Sequence, residues 1–204
     1  MRIRPELLTH PTIPRPLHGL NPRTLRGDSW WREQRQRAYA VNDNRCWVCG
    51  VPAAQAKYRQ SLEAHETYRI DYAKGRAEMA EIVALCHACH NFIHAERLWY
   101  LYQAGKVNAA KIKDVLTHGL SILEKAGLQP QAKTMRIALS LQAVDPRVIQ
   151  SVLAMQGYQD SPQEAPWEDW RLVMDGKEYP SLYADHTEWE RYYFADDQEI
   201  ADMP

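Results

Sequence analysis

The chain has 204 residues, 45% hydrophobic and 25% charged, which is the balance of an ordered globular protein and excludes a disordered one. No run approaches the roughly 18 apolar residues of a transmembrane helix, and the N-terminus lacks an apolar signal core, so the expected location is the cytoplasm. The net charge of −1 conceals a polarity: residues 1–60 hold eleven Lys/Arg against four Asp/Glu, and residues 161–204 hold three against twelve. A basic front half of this kind suits a nucleic-acid partner, while an acidic end of this kind offers a docking element for a protein.

Five prolines and several arginines in residues 1–28 predict an extended, irregular arm. Ser29 is placed to cap a helix over about Trp30–Val41, where Arg32, Arg35 and Arg37 stand beside Trp30 and Trp31. These arginines are candidate nucleic-acid contacts; the tryptophans serve equally as core anchors. The stretch NDNRCWVCGVP reads as a tight loop holding Cys46 and Cys49. In SLEAHETYRIDY (61–72) the residues alternate with period two, which predicts a strand or hairpin, and KGRAE supplies a turn before the short apolar strand IVAL. CHACHNFIHAERLWYLYQ then reads as a second knuckle running into a helix. Ile112, Val115, Leu116, Leu120 and Leu123 fall at helical spacing and predict an amphipathic helix over 109–128. Asp145-Pro146 opens another helix to about Gln156. A hairpin is expected to turn at Asp175-Gly176, and the acidic tail DDQEIADMP is expected to fray.

Nine positions, 86 to 94, hold two cysteines and three histidines. Cys46, Cys49, Cys86 and Cys89 form two Cys-x-x-Cys pairs, which in a reducing compartment read as a structural Zn²⁺ site before they read as disulfides. A closed four-sulfur site has no open coordination position, so its work is structural. His90 and His94 are four apart on a predicted helix and share a face, and His65 lies on the strand that the zinc staple brings alongside. Two imidazoles at that spacing suit a divalent metal. His87 is expected to face solvent or a phosphate, and His10, His18, His118 and His186 have no partner pattern.

The cysteine pairs, LEAHE around His65, and LCHACHNFIH with Cys86, Cys89, His90 and His94 together resemble the HNH endonuclease family in its zinc-stapled form, with a likeness to phage and prophage members. The resemblance covers about residues 44–98. It implies an α+β fold: a ββα-metal (treble-clef-like) zinc module embedded in additional α-helices, with a small C-terminal hairpin. The chain would divide into the arm (1–28), the HNH-like module (29–108), a helical region (109–158) and an acidic C-terminal region (159–204). It further implies that His65 is the general base and that His90 and His94 hold a catalytic divalent metal, Mg²⁺, Mn²⁺, Ni²⁺ or Zn²⁺, for hydrolysis of DNA phosphodiesters in the cytoplasm of a host cell. Two positions depart from the family: the ligand that commonly precedes the base is Ala64, and the family's asparagine falls near Glu81. Glu63 shares the strand face of His65 and is a further candidate ligand; the reversed assignment makes His65 a ligand and Glu66 the base. The alternative function is a catalytically lapsed scaffold that binds nucleic acid, or a host protein through the acidic C-terminal region. No membrane partner is expected, and the oligomeric state is open.

Overall fold

A computed structural model of the protein describes residues 2–141 and 164–195. Within them lie seven α-helices and one four-stranded sheet, an α+β architecture. The helices are α1 (Pro22–Arg26), α2 (Asp28–Val41), α3 (His87–Ile93), α4 (Ala95–Gln103), α5 (Ala109–Lys125), α6 (Ala132–Ser140) and α7 (His186–Ala195); the strands are β1 (Leu62–Asp71), β2 (Arg76–Cys86), β3 (Arg171–Met174) and β4 (Lys177–Pro180). The sheet runs β1-β2-β3-β4, with β2 and β3 parallel and β3 and β4 antiparallel. Among the described residues, no helix is long and apolar enough to cross a membrane. The helix expected from Asp145 to about Gln156 and the tail from residue 196 lie outside the described residues.

Two compact units divide the chain. The first takes Met1–Thr12, Arg32–Thr67 and Ile82–Gln159. Its core gathers Leu7, Leu8, Val83, Ala84, Leu85, Phe92, Leu98, Ile112, Val115, Leu116 and Leu123, all buried. The helical spacing read in α5 is the stripe that meets this core. Helix α3 packs on α5 where Gly119 faces Phe92, and a Cβ at Gly119 would lie 2.1 Å from the ring. The N-terminal residues contribute more than an irregular arm: Pro5–Thr9 is a 3-10 turn that buries Leu7 and Leu8 against α3 and α5. It is tied down by Arg2 N–H donating to Asn42 Oδ1 (2.7 Å) and Arg4 N–H donating to the Trp47 carbonyl (2.7 Å).

The second unit takes Ile13–Trp31, Tyr68–Glu81 and Asp160–Pro204. Its smaller core is Leu17, Leu20, Tyr68, Ala77, Trp170 and Leu172. β3 and β4 meet at Asp175-Gly176, both with positive φ (51° and 74°), the two-residue turn whose twist suits a hairpin. That hairpin extends the main sheet, because β2 pairs Arg76, Ala77 and Glu78 with Arg171, Leu172 and Val173.

Candidate metal centre

The first unit places the two knuckles together. Cys46 and Cys49 sit in a tight loop closed by Gly50 N–H donating to the Cys46 carbonyl (2.9 Å) and Cys46 N–H donating to the Val51 carbonyl (2.9 Å). Trp47 N–H donates to the carbonyl of Ala84 on β2 (2.8 Å), which docks the loop beside the end of the strand that leads into Cys86. The four sulfurs lie within 4.8 Å of one another, and Cys49 Sγ is 3.7 Å from Cys86 Sγ. A tetrahedral Zn²⁺ with Zn–S bonds of about 2.3 Å requires sulfurs about 3.8 Å apart, so the donor set fits that ion. Hydrogen bonds from Cys49, Cys86 and Cys89 hold the Cys46 thiol well below its ordinary range, while hydrogen bonds with Cys46 and Cys49 push Cys86 and Cys89 upward. Four thiols this close cannot all ionise without a cation among them, and a divalent metal would supply that cation.

A second group lies on β1 and α3. His65, His90 and His94 offer ring nitrogens within 4.8 Å of one another, with His94 Nε2 3.3 Å from His65 Nδ1. The rings stand edge to face, with centroids 4.8 to 5.3 Å apart. The helix breaks at His94 (φ −92°, ψ 38°), yet His94 N–H still donates to the His90 carbonyl (3.2 Å), so the two rings stay on one side. Nitrogens bound at about 2.0–2.1 Å to a tetrahedral ion stand about 3.3–3.4 Å apart, which the His65–His94 separation matches. Burial, reinforced by His94 and His90, keeps His65 well below its ordinary pKa; burial, with His90, Arg97 and Lys133, lowers His94 to about 3. Both rings are therefore neutral at pH 7, the form a metal ligand requires.

Glu63 bridges His87 and His90. Its Oε1 lies 2.6 Å from His87 Nδ1 and its Oε2 2.5 Å from His90 Nδ1. Burial alone would raise this carboxyl, but the bonds from His87 and His90 hold it below the ordinary carboxylate range. An acceptor on Nδ1 fixes the proton there and leaves His90 Nε2 free, the usual arrangement behind a metal-ligating imidazole. Glu63 thus stands behind a candidate ligand, with both oxygens already engaged. The next acid along the strand, Glu66, is half-buried, and burial raises its carboxyl against the opposing pull of its backbone and of His90.

Other residues lie elsewhere than their sequence context suggests. His87 is 7% exposed and turned inward onto Glu63, because the helix begins at this residue and aims it at β1. Asn91 is buried beside it and donates to the His87 carbonyl (2.8 Å). His118, with no partner in the sequence pattern, brings Nε2 to 3.4 Å from Cys89 Sγ and buttresses the four-cysteine group. Its position one turn beyond Val115 and beside Gly119 on the packed stripe of α5 is the signal that could have found it. On α2, Arg32 is exposed, Arg37 is paired with Glu33 (2.7 Å), and Arg35 is half-buried with no hydrogen-bond partner for Nε among the described residues; none of the three is in either metal-ligand group.

No family model, curated protein or solved structure matches this chain. Four thiols here suit a closed structural site, and three imidazoles would leave a tetrahedral metal one open coordination position.

Proposed function

We propose that the protein is a metal-dependent endonuclease that hydrolyses phosphodiester bonds in DNA, built on a zinc-stapled ββα-metal core. The observation that carries this reading is the convergence of His65, His90 and His94 beside, and distinct from, the four-cysteine group. Three imidazoles with an open fourth position characterise a catalytic centre, whereas four thiolates characterise a structural one. A divalent metal held there supplies Lewis-acid charge to a phosphoryl oxygen and lowers the pKa of a bound water. The chain's own residues set up that site. Cys46, Cys49, Cys86 and Cys89 pin α3 to the knuckle loop; Glu63 fixes the His90 tautomer; burial keeps His65 and His94 unprotonated.

His65 suits two roles. A general base has to offer a nitrogen to solvent-derived water, and this ring is only 6% exposed with Nδ1 turned to His94. Those two facts favour the role of third ligand. The deciding experiment combines metal analysis of purified protein with cleavage of supercoiled plasmid by wild type, His65→Ala and His90→Ala in Mg²⁺, Mn²⁺, Ni²⁺ or Zn²⁺. The expected result is two metals per wild-type chain, one of them readily exchanged, with nicking by wild type alone. Both variants keep the thiolate-bound zinc and lose the exchangeable ion. Zinc-loaded, folded protein that cleaves with none of the metals refutes the proposal; His65→Ala protein that retains both metals but not cleavage returns His65 to the role of base.

A further inference from the structure

Between the first knuckle and β1 the chain reads Lys57-Tyr58-Arg59, and this segment has a geometry that neither metal group uses. Tyr58 adopts a left-handed backbone (φ 73°), a conformation that is costly for a non-glycine residue and persists where the surroundings over-determine it. Its surroundings do so. The Tyr58 hydroxyl donates to Asp114 Oδ2, and Lys57 Nζ donates to Asp114 Oδ1 (2.6 Å). Lys57 Nζ and Lys111 Nζ lie 5.3 and 5.2 Å from the centroid of the Tyr58 ring, which therefore carries two ammonium groups. The ring also meets His87 edge to face, with centroids 5.7 Å apart.

Arg59 completes the group. Its Nη1 is 3.9 Å from Glu63 Oε1, so it stands one carboxylate away from the His90 ring. Lys57, Arg59 and Lys111 thus lie on or beside Tyr58, while the carboxylates near them are already engaged: Asp114 by Lys57 and the Tyr58 hydroxyl, Glu63 by two imidazoles. The side chains of Lys57 and Arg59 are 63% and 54% exposed. Exposed ion pairs contribute little to stability, so folding alone does not account for a strained tyrosine that collects charge at the edge of the histidine group. Resting on the nuclease reading, we infer that Lys57, Arg59 and Lys111, arrayed around Tyr58, form a phosphate-binding subsite that holds the nucleic-acid strand at a phosphate neighbouring the one hydrolysed. Tyr58 is the positioning residue and the three cations are the contacts. The strand is held there through its backbone charge, without reading of bases.

The test is fluorescence anisotropy of a short labelled DNA duplex, and of one of its strands alone, titrated with zinc-loaded protein in the absence of added catalytic metal. The titration is repeated over roughly 50 to 200 mM salt. Arg59→Gln and Lys111→Gln are each expected to weaken binding and to lower the slope of log K against log salt by about 1. Tyr58→Leu, which removes the ring beneath both lysines, weakens binding as well, and Tyr58→Phe restores most of it. Lys125→Gln, at the far end of α5 roughly 20 Å away along the helix, leaves binding unchanged. Zinc content and melting temperature, measured on every variant, separate lost contacts from lost fold. Wild-type-like affinity and salt slope in Arg59→Gln and Lys111→Gln overturn the subsite, as does a wild-type protein that binds neither probe. Binding that behaves as expected in a protein that never cleaves overturns the nuclease reading and leaves the subsite standing; cleavage with unaltered binding in the variants does the reverse.

Discussion

Gly119 offers a sharp test of how the metal-bearing helix is held. On an ordinary helix, Gly→Ala stabilises by about 1 kcal/mol through backbone entropy. Here the added methyl would lie 2.1, 2.3 and 2.5 Å from three atoms of the Phe92 ring, where ordinary contact begins near 3.4 Å. Phe92 is 1% exposed, so relief requires α3 or α5 to move by about an ångström through a close-packed core. Overpacking of this kind costs about 1–3 kcal/mol, and a clash this deep belongs at the upper end. Set against the propensity gain, Gly119→Ala is expected to destabilise by about 2 kcal/mol. In a chain of this size that lowers the melting temperature by roughly 4–8 °C, measured at fixed zinc. The cycle with Phe92→Ala isolates the cause: the new methyl partly refills the space left by the ring, so the double variant loses at least about 1 kcal/mol less than the two single changes together. Because α3 carries His90 and leads directly into His94, the single variant should hold the exchangeable metal more weakly. A Gly119→Ala protein as stable as wild type refutes the packing of α3 on α5 described above.

Three more outcomes follow from the site. Glu63→Gln leaves His90 without its carboxylate acceptor and should weaken the exchangeable metal by about 10–100-fold, with the thiolate zinc unchanged; calorimetric titration with Zn²⁺ or Co²⁺ checks this, and unaltered affinity removes Glu63 from its supporting role. Removal of the thiolate zinc by a strong chelator should unfold the first unit, since such sites supply roughly 10–16 kcal/mol in small zinc modules; loss of helical circular dichroism on chelation, recovered on adding Zn²⁺, is the readout. The buried histidines set a pH dependence in protein freed of the exchangeable metal. With His94 at about 3 in the fold and its ordinary value near 6.5 when unfolded, the unfolded chain binds more protons across that interval. Stability is therefore full above about pH 6.5 and falls as the pH drops toward about 3. His94→Asn should flatten the fall in urea midpoint between about pH 7 and pH 5; an equally steep fall in the variant assigns the effect to other groups.

The parts of this molecule legible in its sequence are those fixed by local spacing. Two Cys-x-x-Cys pairs announce a four-sulfur group, alternation around His65 announces the strand that carries it, and the apolar stripe from Ile112 to Leu123 announces α5. The N-terminal prolines misdirect because three of them begin elements rather than break them: Pro5, Pro16 and Pro22 occupy first-turn positions, where the missing N–H costs nothing. Helix α6 was not signalled, since it spans nine residues and its N-cap, Gln131, makes no side-chain capping bond. Helix α7 starts in a polar and aromatic stretch with no clear apolar stripe. What lay beyond any local pattern was proximity across the chain. His118 reaches Cys89 from another helix, and Glu63 gathers His87 and His90 from 24 and 27 residues away.

Leu7 and Leu8, 0% and 2% exposed, sit over α5 and over α3, the helix that bears His90. The knuckles and the histidine strand together span barely a quarter of the polypeptide, which invites excision of that fragment as a minimal enzyme. A peptide cut to residues 44–98 would lose these two leucines and all of α5, leaving the apolar underside of α3 bare to water. Such a fragment should aggregate or fold only as a partner-dependent half. Anyone transplanting this centre onto another scaffold has to carry its leading dozen residues with it.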